Sequence, residues 1–453
     1  MEREQVTLRR TLTLFPLILF GLAYMAPMIV FGTFGVEDQT THGLATDAYI
    51  LALIAMLFTA YSYGRMAKAY PVSGSAYTYV RKSMSSHLGF LIGWVTLLDY
   101  FFLPMVIWLI GGVYLSAEIP GVPAWVWIVL FILVTTILNI VGIRISTNVN
   151  VMMMAFQFLV IAIFIVLSVE DVLHGMGSGT IVSARPFVSS QFRFPLILAG
   201  AAIAGYSFLG FDAVTTMTEE TVQPEKTVPR AILLITLVGG VIFIIATYVT
   251  QLVYPDYTKF VHADSGASEI AMQIGGHLFT AIFTAGLILA QFSSGISAQS
   301  SAARLLYAMG RDTVLPKKFF GRLNERFQTP HLNIVLVGIV GLLALCLTVE
   351  TSTSFINFGA FSAFAFVNVS VIAHYFFRAG RRKTLLDVLL YFVMPVAGFL
   401  FDGWLWLNLD KNALILGAIW LACGVVYLVV LTRGFRRVPP EIHFHSTDDT
   451  IGG

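Results

Sequence analysis

Charged residues are scarce in this sequence: aspartate, glutamate, lysine and arginine together make up 11% of its 453 residues, whereas 57% are hydrophobic. Roughly a quarter of the residues in soluble domains are charged, so the composition excludes a soluble globular protein and predicts an integral membrane protein. Cysteine is almost absent, and Cys346 and Cys423 both lie in apolar runs, which argues against a disulfide framework. We expect no removable signal peptide, because the charged start MEREQVTLRR enters a long apolar run without a small-residue cleavage site.

Signatures of enzymes are also missing. The sequence contains no cluster of metal ligands, no nucleophile constellation and no phosphate-binding loop at the spacing that such chemistry requires. We therefore expect no enzyme, no metal site, no organic cofactor and no nucleic-acid partner.

Long apolar runs, by contrast, are abundant. A helix needs roughly 20 apolar residues to cross a bilayer, and twelve runs are suited to this. An even number of spans places both termini on one side of the membrane. The predicted spans are 12–36, 46–67, 87–116, 123–143, 148–169, 195–217, 229–253, 277–306, 331–349, 353–377, 386–408 and 411–432.

Lysine and arginine are distributed unevenly between the two predicted faces of the membrane. Of the 27 basic residues, 23 fall in the terminal segments and in the loops that follow even-numbered spans. Because basic loops stay on the cytoplasmic side, both termini are predicted to be cytoplasmic. The lipid bilayer is then the immediate surrounding, and we expect a multi-pass protein of the cytoplasmic (inner) membrane.

Two of the predicted spans are interrupted by helix-breaking residues. The first contains Gly21 and Pro27, and the sixth contains Gly205, Gly210 and Asp212 in the stretch GYSFLGFD. Glycine and proline are common in membrane helices, so one interruption alone is weak evidence. Two interruptions at matching places favour a transporter that is built from inverted repeats and binds its substrate at the breaks.

The two breaks lie five spans apart, which divides most of the chain into two halves. We expect a first repeat over residues 1–195, a second repeat of opposite orientation over 195–380, and two further helices with a cytoplasmic tail over 381–453. The predicted fold is thus an all-α membrane protein of twelve transmembrane helices. It contains a five-plus-five inverted repeat in which helices 1 and 6 are broken, followed by two C-terminal helices.

Several blocks of sequence resemble the amino acid–polyamine–organocation (APC) superfamily of transporters. These blocks span the first ten predicted helices, and within the superfamily the chain is most similar to bacterial putrescine importers. The resemblance implies the five-plus-five fold and secondary active transport by alternating access. The blocks are YGRMAKAYPVSGSAYTYVRKSMSSHLGFLIGW, LLDYFFLPM, NIVGIRISTNVN, GFDAVTTMTEETVQPEKTVPRAI and ARLLYAMGRDTVLPKKFFGRLNERFQTPHLN.

Two acids lie inside apolar spans, Asp99 in the third and Asp212 at the second break. A charged side chain costs at least a few kcal/mol inside a bilayer, so each acid is expected to bind a cation or carry a proton; the alternative is a structural hydrogen bond. The resemblance implies that Asp212 lies beside the substrate cavity and that Tyr206 has the place of a gating aromatic. Tyr24 and Phe208 complete the predicted substrate-binding residues, since aromatic faces and carboxylates attract ammonium groups.

The first break also bears on the substrate. Amino-acid transporters of the superfamily have a G-S/A-G motif there, whose bare backbone N–H groups hold the substrate carboxylate. This chain has GLAYMAP instead, and Pro27 supplies no N–H group. The sequence therefore favours import of putrescine or a related polyamine. An amino acid permease on the same fold, working by proton symport or exchange, is one alternative, and a ligand sensor that does not transport is another.

Protons are the expected coupling ion. Some proton symporters of the superfamily have a lysine in the fifth helix, where this chain has Gln157, which does not titrate. Coupling is therefore expected to depend on a carboxylate such as Asp212, Glu219 or Glu220.

Glu219 and Glu220 have a second interpretation, which we favour: a latch at the cytoplasmic gate with Arg65, Arg304 or Arg311. Two more expectations concern residues away from the two breaks. Asp402, in the eleventh span, is expected near the outer surface or at a subunit contact, without a transport role. The oligomeric state is left open. Sodium is a minor alternative to protons, with a site at Ser293, Ser294 and Ser297.

Overall fold

The helical architecture was analysed in a computed structural model. It describes residues 10, 12–72, 75–141, 147–188, 193–311, 314–324, 326–327 and 329–440. Regular structure within these residues is helical, apart from one isolated bridge between Leu12 and Thr221. The α-helices are α1 Leu14–Met25, α2 Ile29–Thr41, α3 Ala45–Ala69, α4 Ser75–Ser83, α5 Ser86–Glu118, α6 Ala124–Val141, α7 Thr147–Leu173, α8 Phe194–Ala204, α9 Pro224–Val253, α10 Gly266–Arg311, α11 Lys317–Phe320, α12 His331–Gly341, α13 Val349–Val371, α14 Leu385–Val388, α15 Met394–Leu407 and α16 Lys411–Leu431.

Apolar helices of membrane-spanning length recur throughout the described residues. Ten helical segments are long and apolar enough to cross a membrane, and α1 and α2 together form one further span that is bent by 45°. A shorter apolar helix, His331–Leu345, occupies the place of the ninth predicted span. The predicted all-α membrane fold is confirmed. The boundaries of the two repeats and of the C-terminal segment stay a prediction.

The spans differ strongly in how much of their surface other helices cover. In Phe194–Thr218, which contains the second break, 78% of the most apolar window is buried, and α5 reaches 67%. The corresponding value for Leu385–Leu407 and for α16 is 17%. The second broken span and α5 therefore lie in the interior of the bundle, whereas the last two spans expose most of their apolar surface at its periphery.

Asp402 departs from its expected position. Its side chain is fully buried, and its Oδ2 accepts hydrogen bonds from Thr59 Oγ1 at 2.8 Å and from Asn368 Nδ2 at 2.9 Å. The expectation of a place near the outer surface or at a subunit contact is therefore wrong. Asp402 instead joins α15 to α3 and α13, because a buried carboxyl group needs hydrogen-bond donors and those two helices supply them.

The two broken spans are tied together at one end. Leu12, just before α1, forms the isolated bridge with Thr221, and the Val222 N–H group donates to the Leu12 carbonyl at 2.8 Å. The start of α1 is thus hydrogen-bonded to the end of the span that contains the second break.

Candidate functional site

The first break falls between α1 and α2. Ala26 adopts a positive φ of 50°, which L-residues rarely do, and Pro27 follows it. The helix axis turns by 45° here. Gly21 lies earlier, inside α1, where it lets Ile235 of α9 approach: a Cβ atom at residue 21 would be 2.3 Å from Ile235 Cδ1. The backbone therefore unwinds at residues 26–28, one turn beyond Gly21.

The second break follows α8. The α-helix tightens to a 3₁₀-helix over Gly205–Phe208, opens at Gly210 with a φ of 115°, and resumes as a 3₁₀-helix over Ala213–Glu220. Only glycine adopts such a φ without strain. Gly205 itself is helical and packs against the Phe361 ring. Asp212 is the residue immediately before the second 3₁₀ segment.

The two breaks touch each other. A Cβ atom at residue 210 would lie 2.4 Å from Tyr24 Cδ1 and 3.3 Å from the Met25 backbone nitrogen. The absence of a side chain at Gly210 thus allows the last turn of α1 to pack directly on the second break. The end of α1, directly before the first break, therefore meets the unwound backbone of the second break in the interior of the bundle.

Asp212 lies at this meeting point. Its side chain is only 6% exposed, and Ser75 Oγ donates to its Oδ2 at 3.4 Å. Backbone N–H groups of Gly210 and of Asp212 itself also interact with the carboxyl group. Ser75, the first residue of α4, adopts a positive φ of 47°. Strained backbone of this kind is typical of sites where a side chain must be held in one place.

Asp99 and the aromatic residues of the breaks share this site. The carboxyl group of Asp99, on α5, lies within electrostatic range of Asp212. The phenol of Tyr24 interacts with both carboxyl groups, and that of Tyr206 interacts with Asp99. Tyr24 and Asp99 are half-buried, whereas Tyr206 is 4% exposed. The structure thus brings together four of the five residues that the sequence predicts to bind substrate.

Phe208 is placed differently. Its ring is fully buried and meets the Phe243 ring of α9 edge-on, with 5.4 Å between the ring centroids. It therefore packs the second break against α9.

Three further tyrosines interact electrostatically with the carboxyl groups and were missed in the sequence. Tyr63 of α3 and Tyr100 of α5 interact electrostatically with both Asp99 and Asp212, and Tyr79 of α4 interacts with Asp212. Tyr100 directly follows Asp99, and Tyr79 lies in the GSAYTYV block, so proximity to recognised motifs was the available signal. The site therefore consists of two acids within a set of phenol side chains.

Cations are absent from the described part of this site. Neither Asp99 nor Asp212 forms an ion pair or an electrostatic contact with a described lysine, arginine or histidine. A buried and a half-buried carboxyl group without a neighbouring cation are costly to ionise together. Such a pair stabilises a cationic ligand or a bound proton.

The predicted gate and coupling residues lie elsewhere or outside the described side chains. The side chains of Glu219, Glu220 and Arg311 are outside the described part of the chain, so the latch stays a prediction. Gln157 is buried, and its Oε1 has no hydrogen-bond partner among the described residues.

The sodium site stays a prediction as well. On α10, Ser297 is exposed, whereas the other two residues of that predicted site, Ser293 and Ser294, are half-buried.

Two more buried acids were missed altogether. Glu37 and Asp38, near the end of α2, are 0% and 1% exposed. The apolar run of the first predicted span ends at residue 36, so these residues fell into a predicted loop. In the structure α2 continues to Thr41, and other helices cover it.

Comparisons with known proteins agree with the blocks seen in the sequence. The chain matches the amino acid permease family over residues 12–441. It is 43% identical over 441 residues to the low-affinity putrescine importer PlaP of Escherichia coli K12, covering 97% of each chain. It is 26% identical over 460 aligned residues to the branched-chain amino acid permease BcaP of Bacillus subtilis, and 26% identical over 457 to the methylthioribose transporter of that organism, covering 95% of each chain in both cases. The chain therefore belongs to the amino acid permease family of the APC superfamily.

Proposed function

We propose that this protein is a secondary active transporter that imports putrescine or a closely related polyamine together with protons. The observation that carries the proposal is the pair Asp99 and Asp212, which lies among phenol side chains where the two broken helices meet. The identity of 43% with a low-affinity putrescine importer supports the same substrate class.

The chemistry of the site suits a diamine. Each ammonium end of putrescine needs an anionic or aromatic partner once it leaves water, and the apolar carbon chain between the ends needs none. Carboxyl groups supply ion pairs, and phenol rings supply cation–π contacts of about 0.5–2 kcal/mol. Two acids without a described base offer one anionic partner for each end of the substrate.

The first break argues against an amino acid substrate. A substrate carboxylate would need unsatisfied N–H groups at the start of α2. Here the N–H groups of Ala26, Ile29 and Phe31 donate to the carbonyls of Ala23, Ala26 and Met28, and Pro27 has none. Few donors are left for a carboxylate, whereas a diamine requires none.

The coupling and the membrane placement form part of the proposal. Protons are the proposed coupling ion because a buried carboxyl group without a described cationic partner is less costly in its protonated form than as an ion. Cotransport then requires that the proton and the polyamine occupy different carboxyl groups at the same time. The positions of 23 of the 27 basic residues favour an inner-membrane protein with both termini in the cytoplasm. No organic cofactor or enzymatic step is part of the mechanism.

Purified protein in proteoliposomes tests the proposal. We expect labelled putrescine to accumulate inside the vesicles, with the accumulation increased when the interior is alkaline and unchanged by a sodium gradient. If a sodium gradient alone increases putrescine accumulation, sodium and not the proton is the coupling ion. Saturable binding of putrescine without accumulation would support the ligand sensor instead. The absence of both binding and uptake would refute the polyamine proposal.

A further inference from the structure

A second carboxyl site lies on α2, apart from Asp99 and Asp212. The side chain of Glu37 is fully buried, and its Oε1 accepts hydrogen bonds from Thr33 Oγ1 at 2.9 Å and from the Tyr49 hydroxyl at 3.1 Å. The Tyr49 hydroxyl is also hydrogen-bonded to Ser207 Oγ, at 2.9 Å. Ser207 belongs to the 3₁₀ turn of the second break. Glu37 is thus connected through one tyrosine to the second break.

The other oxygen of Glu37 has no partner. Oε2 is buried, and no described residue forms a hydrogen bond with it. No described lysine, arginine or histidine pairs with the carboxyl group. A buried carboxylate ion without a cation is far more costly than a neutral carboxyl group in the same place. The geometry is therefore suited to a carboxyl group that holds a proton.

Neighbouring Asp38 has a different environment. Its Oδ1 accepts from Gln251 Nε2 at 2.7 Å, and the backbone N–H group of Ala45 also donates to this carboxyl group. The Gln251 Oε1 accepts in turn from the Thr46 hydroxyl at 2.5 Å and from the Thr46 backbone at 3.1 Å. Asp38 thus fastens α2 to the start of α3 and to α9, which is a structural role. Its hydrogen bonds are satisfied, whereas those of Glu37 are not.

The titratable groups around Glu37 are acids and phenols. In the neighbouring segments the His42 ring stacks on Tyr257 with 5.5 Å between the ring centroids, and Lys259 pairs with Asp256 at 3.4 Å. The segment α8, which also packs against α2, has no titratable residue. Glu37 interacts electrostatically with Asp38 of α2, Tyr49 of α3 and Tyr114 of α5. Tyr114 in turn interacts with Asp264, just before α10, and with Glu269 in the first turn of α10.

We propose that Glu37 is the residue that carries the cotransported proton, at a site separate from the polyamine site. This inference rests on the proposed function. The hydrogen bond from Thr33 lies within α2. Glu37 is on α2, Tyr49 on α3 and Ser207 in the second break, so the hydrogen bonds of the Tyr49 hydroxyl form only when these three elements are assembled as they are here. A movement of α2 or of the second break breaks them, exposes the carboxyl group to new surroundings and releases the proton.

Ser207 links the proton site at Glu37 to the substrate site at Asp99 and Asp212. It is adjacent to Tyr206, whose phenol interacts with Asp99. Occupation of the polyamine site and protonation of Glu37 therefore both bias the conformation of one 3₁₀ turn. Coupling of this kind is reciprocal: the proton increases the affinity for polyamine as much as the polyamine increases the affinity for the proton.

Transport by Glu37→Gln tests the inference, because glutamine keeps the size of the side chain and an acceptor oxygen but holds no transportable proton. Full-length wild type, Glu37→Gln and a control Asp402→Asn are reconstituted in proteoliposomes with labelled putrescine. We expect Glu37→Gln to keep exchange of internal for external putrescine near the wild-type rate, but to lose accumulation driven by a pH gradient. A pH-sensitive dye trapped inside should show no putrescine-dependent proton entry. Asp402→Asn, a buried acid outside both sites, should behave as wild type in every assay.

Each outcome decides the matter. Wild-type accumulation by Glu37→Gln overturns the inference, and so does loss of exchange, which would place Glu37 in binding or folding. If Glu37→Gln does not reach the membrane, Ser207→Ala decides, since it removes only the hydroxyl that meets Tyr49: it should lower pH-driven accumulation severalfold with exchange retained, and unchanged accumulation would overturn the inference. A wild type that does not transport putrescine at all refutes the proposed function, and the inference falls with it.

Discussion

Gly210 of the second helix break lies against the phenol ring of Tyr24 in the first break, so closely that a Cβ atom at residue 210 would be 2.4 Å from Tyr24 Cδ1. Gly210 also has a φ of 115°, which costs other residues about 1–3 kcal/mol. Contact between the two breaks therefore requires a residue without a side chain at this position.

Gly210→Ala should separate the breaks and disturb the site. We expect putrescine uptake to fall by about tenfold or more, since both the backbone strain and the clash with Tyr24 act on the substrate site. Initial rates in proteoliposomes, normalised to the amount of inserted protein, measure this. Gly403→Ala is the control, because a Cβ atom at residue 403 meets open space. Equal uptake by both variants would show that the close contact is not needed.

Asp212→Asn removes the charge at the second break and keeps the shape of the side chain. We expect it to abolish uptake while the folded protein remains in the membrane, because an amide does not form an ion pair with an ammonium group. Asp256→Asn, in an exposed loop, is the matched control and should transport as wild type. Near-normal uptake by Asp212→Asn would assign Asp212 a structural role.

Tyr24 is expected to act mainly through its aromatic face. Tyr24→Phe keeps the ring, so the KM for putrescine should change little. Tyr24→Leu removes the ring, and loss of one desolvated cation–π contact, about 2 kcal/mol, should raise KM by more than tenfold. Concentration dependence of the initial uptake rate separates the two variants. If Tyr24→Phe raised KM more than Tyr24→Leu does, the hydroxyl group and not the ring would be the essential part of Tyr24.

Asp402 should matter for stability. Asp402→Ala leaves Thr59 and the Asn368 amide without their shared acceptor, which costs about 1–3 kcal/mol for buried groups. We expect a lower midpoint of thermal unfolding in detergent with an unchanged affinity for putrescine. Asp402→Asn retains an acceptor oxygen and should be closer to wild type. A fall in affinity without a loss of stability would contradict this structural role.

The sequence predicted the spans well because hydropathy averages over a whole helix. It also located both breaks through Gly21, Pro27, Gly205 and Gly210. Pro27 and Gly210 do lie where the backbone unwinds, whereas Gly21 and Gly205 are helical. Ala26, which has a left-handed conformation at the first break, was missed because its residue type does not indicate such a conformation.

The candidate site was predicted only in part, for two physical reasons. Hydropathy marks a span by its apolar run, so Glu37 was assigned to a loop although protein, not water, surrounds it. A single sequence also does not show which distant residues form hydrogen bonds with one another. Thr59 and Asn368 lie on different helices, and nothing in GFLFDGWLW indicates that both donate hydrogen bonds to Asp402.

The central claim, a polyamine rather than an amino acid as substrate, is tested most directly by competition in proteoliposomes. Uptake of labelled putrescine is measured alone and with an excess of unlabelled diamines, of cationic amino acids and of neutral amino acids. The account predicts saturable putrescine uptake that diamines inhibit and neutral amino acids leave unchanged. Uptake of labelled neutral amino acids that excess putrescine does not affect would contradict it.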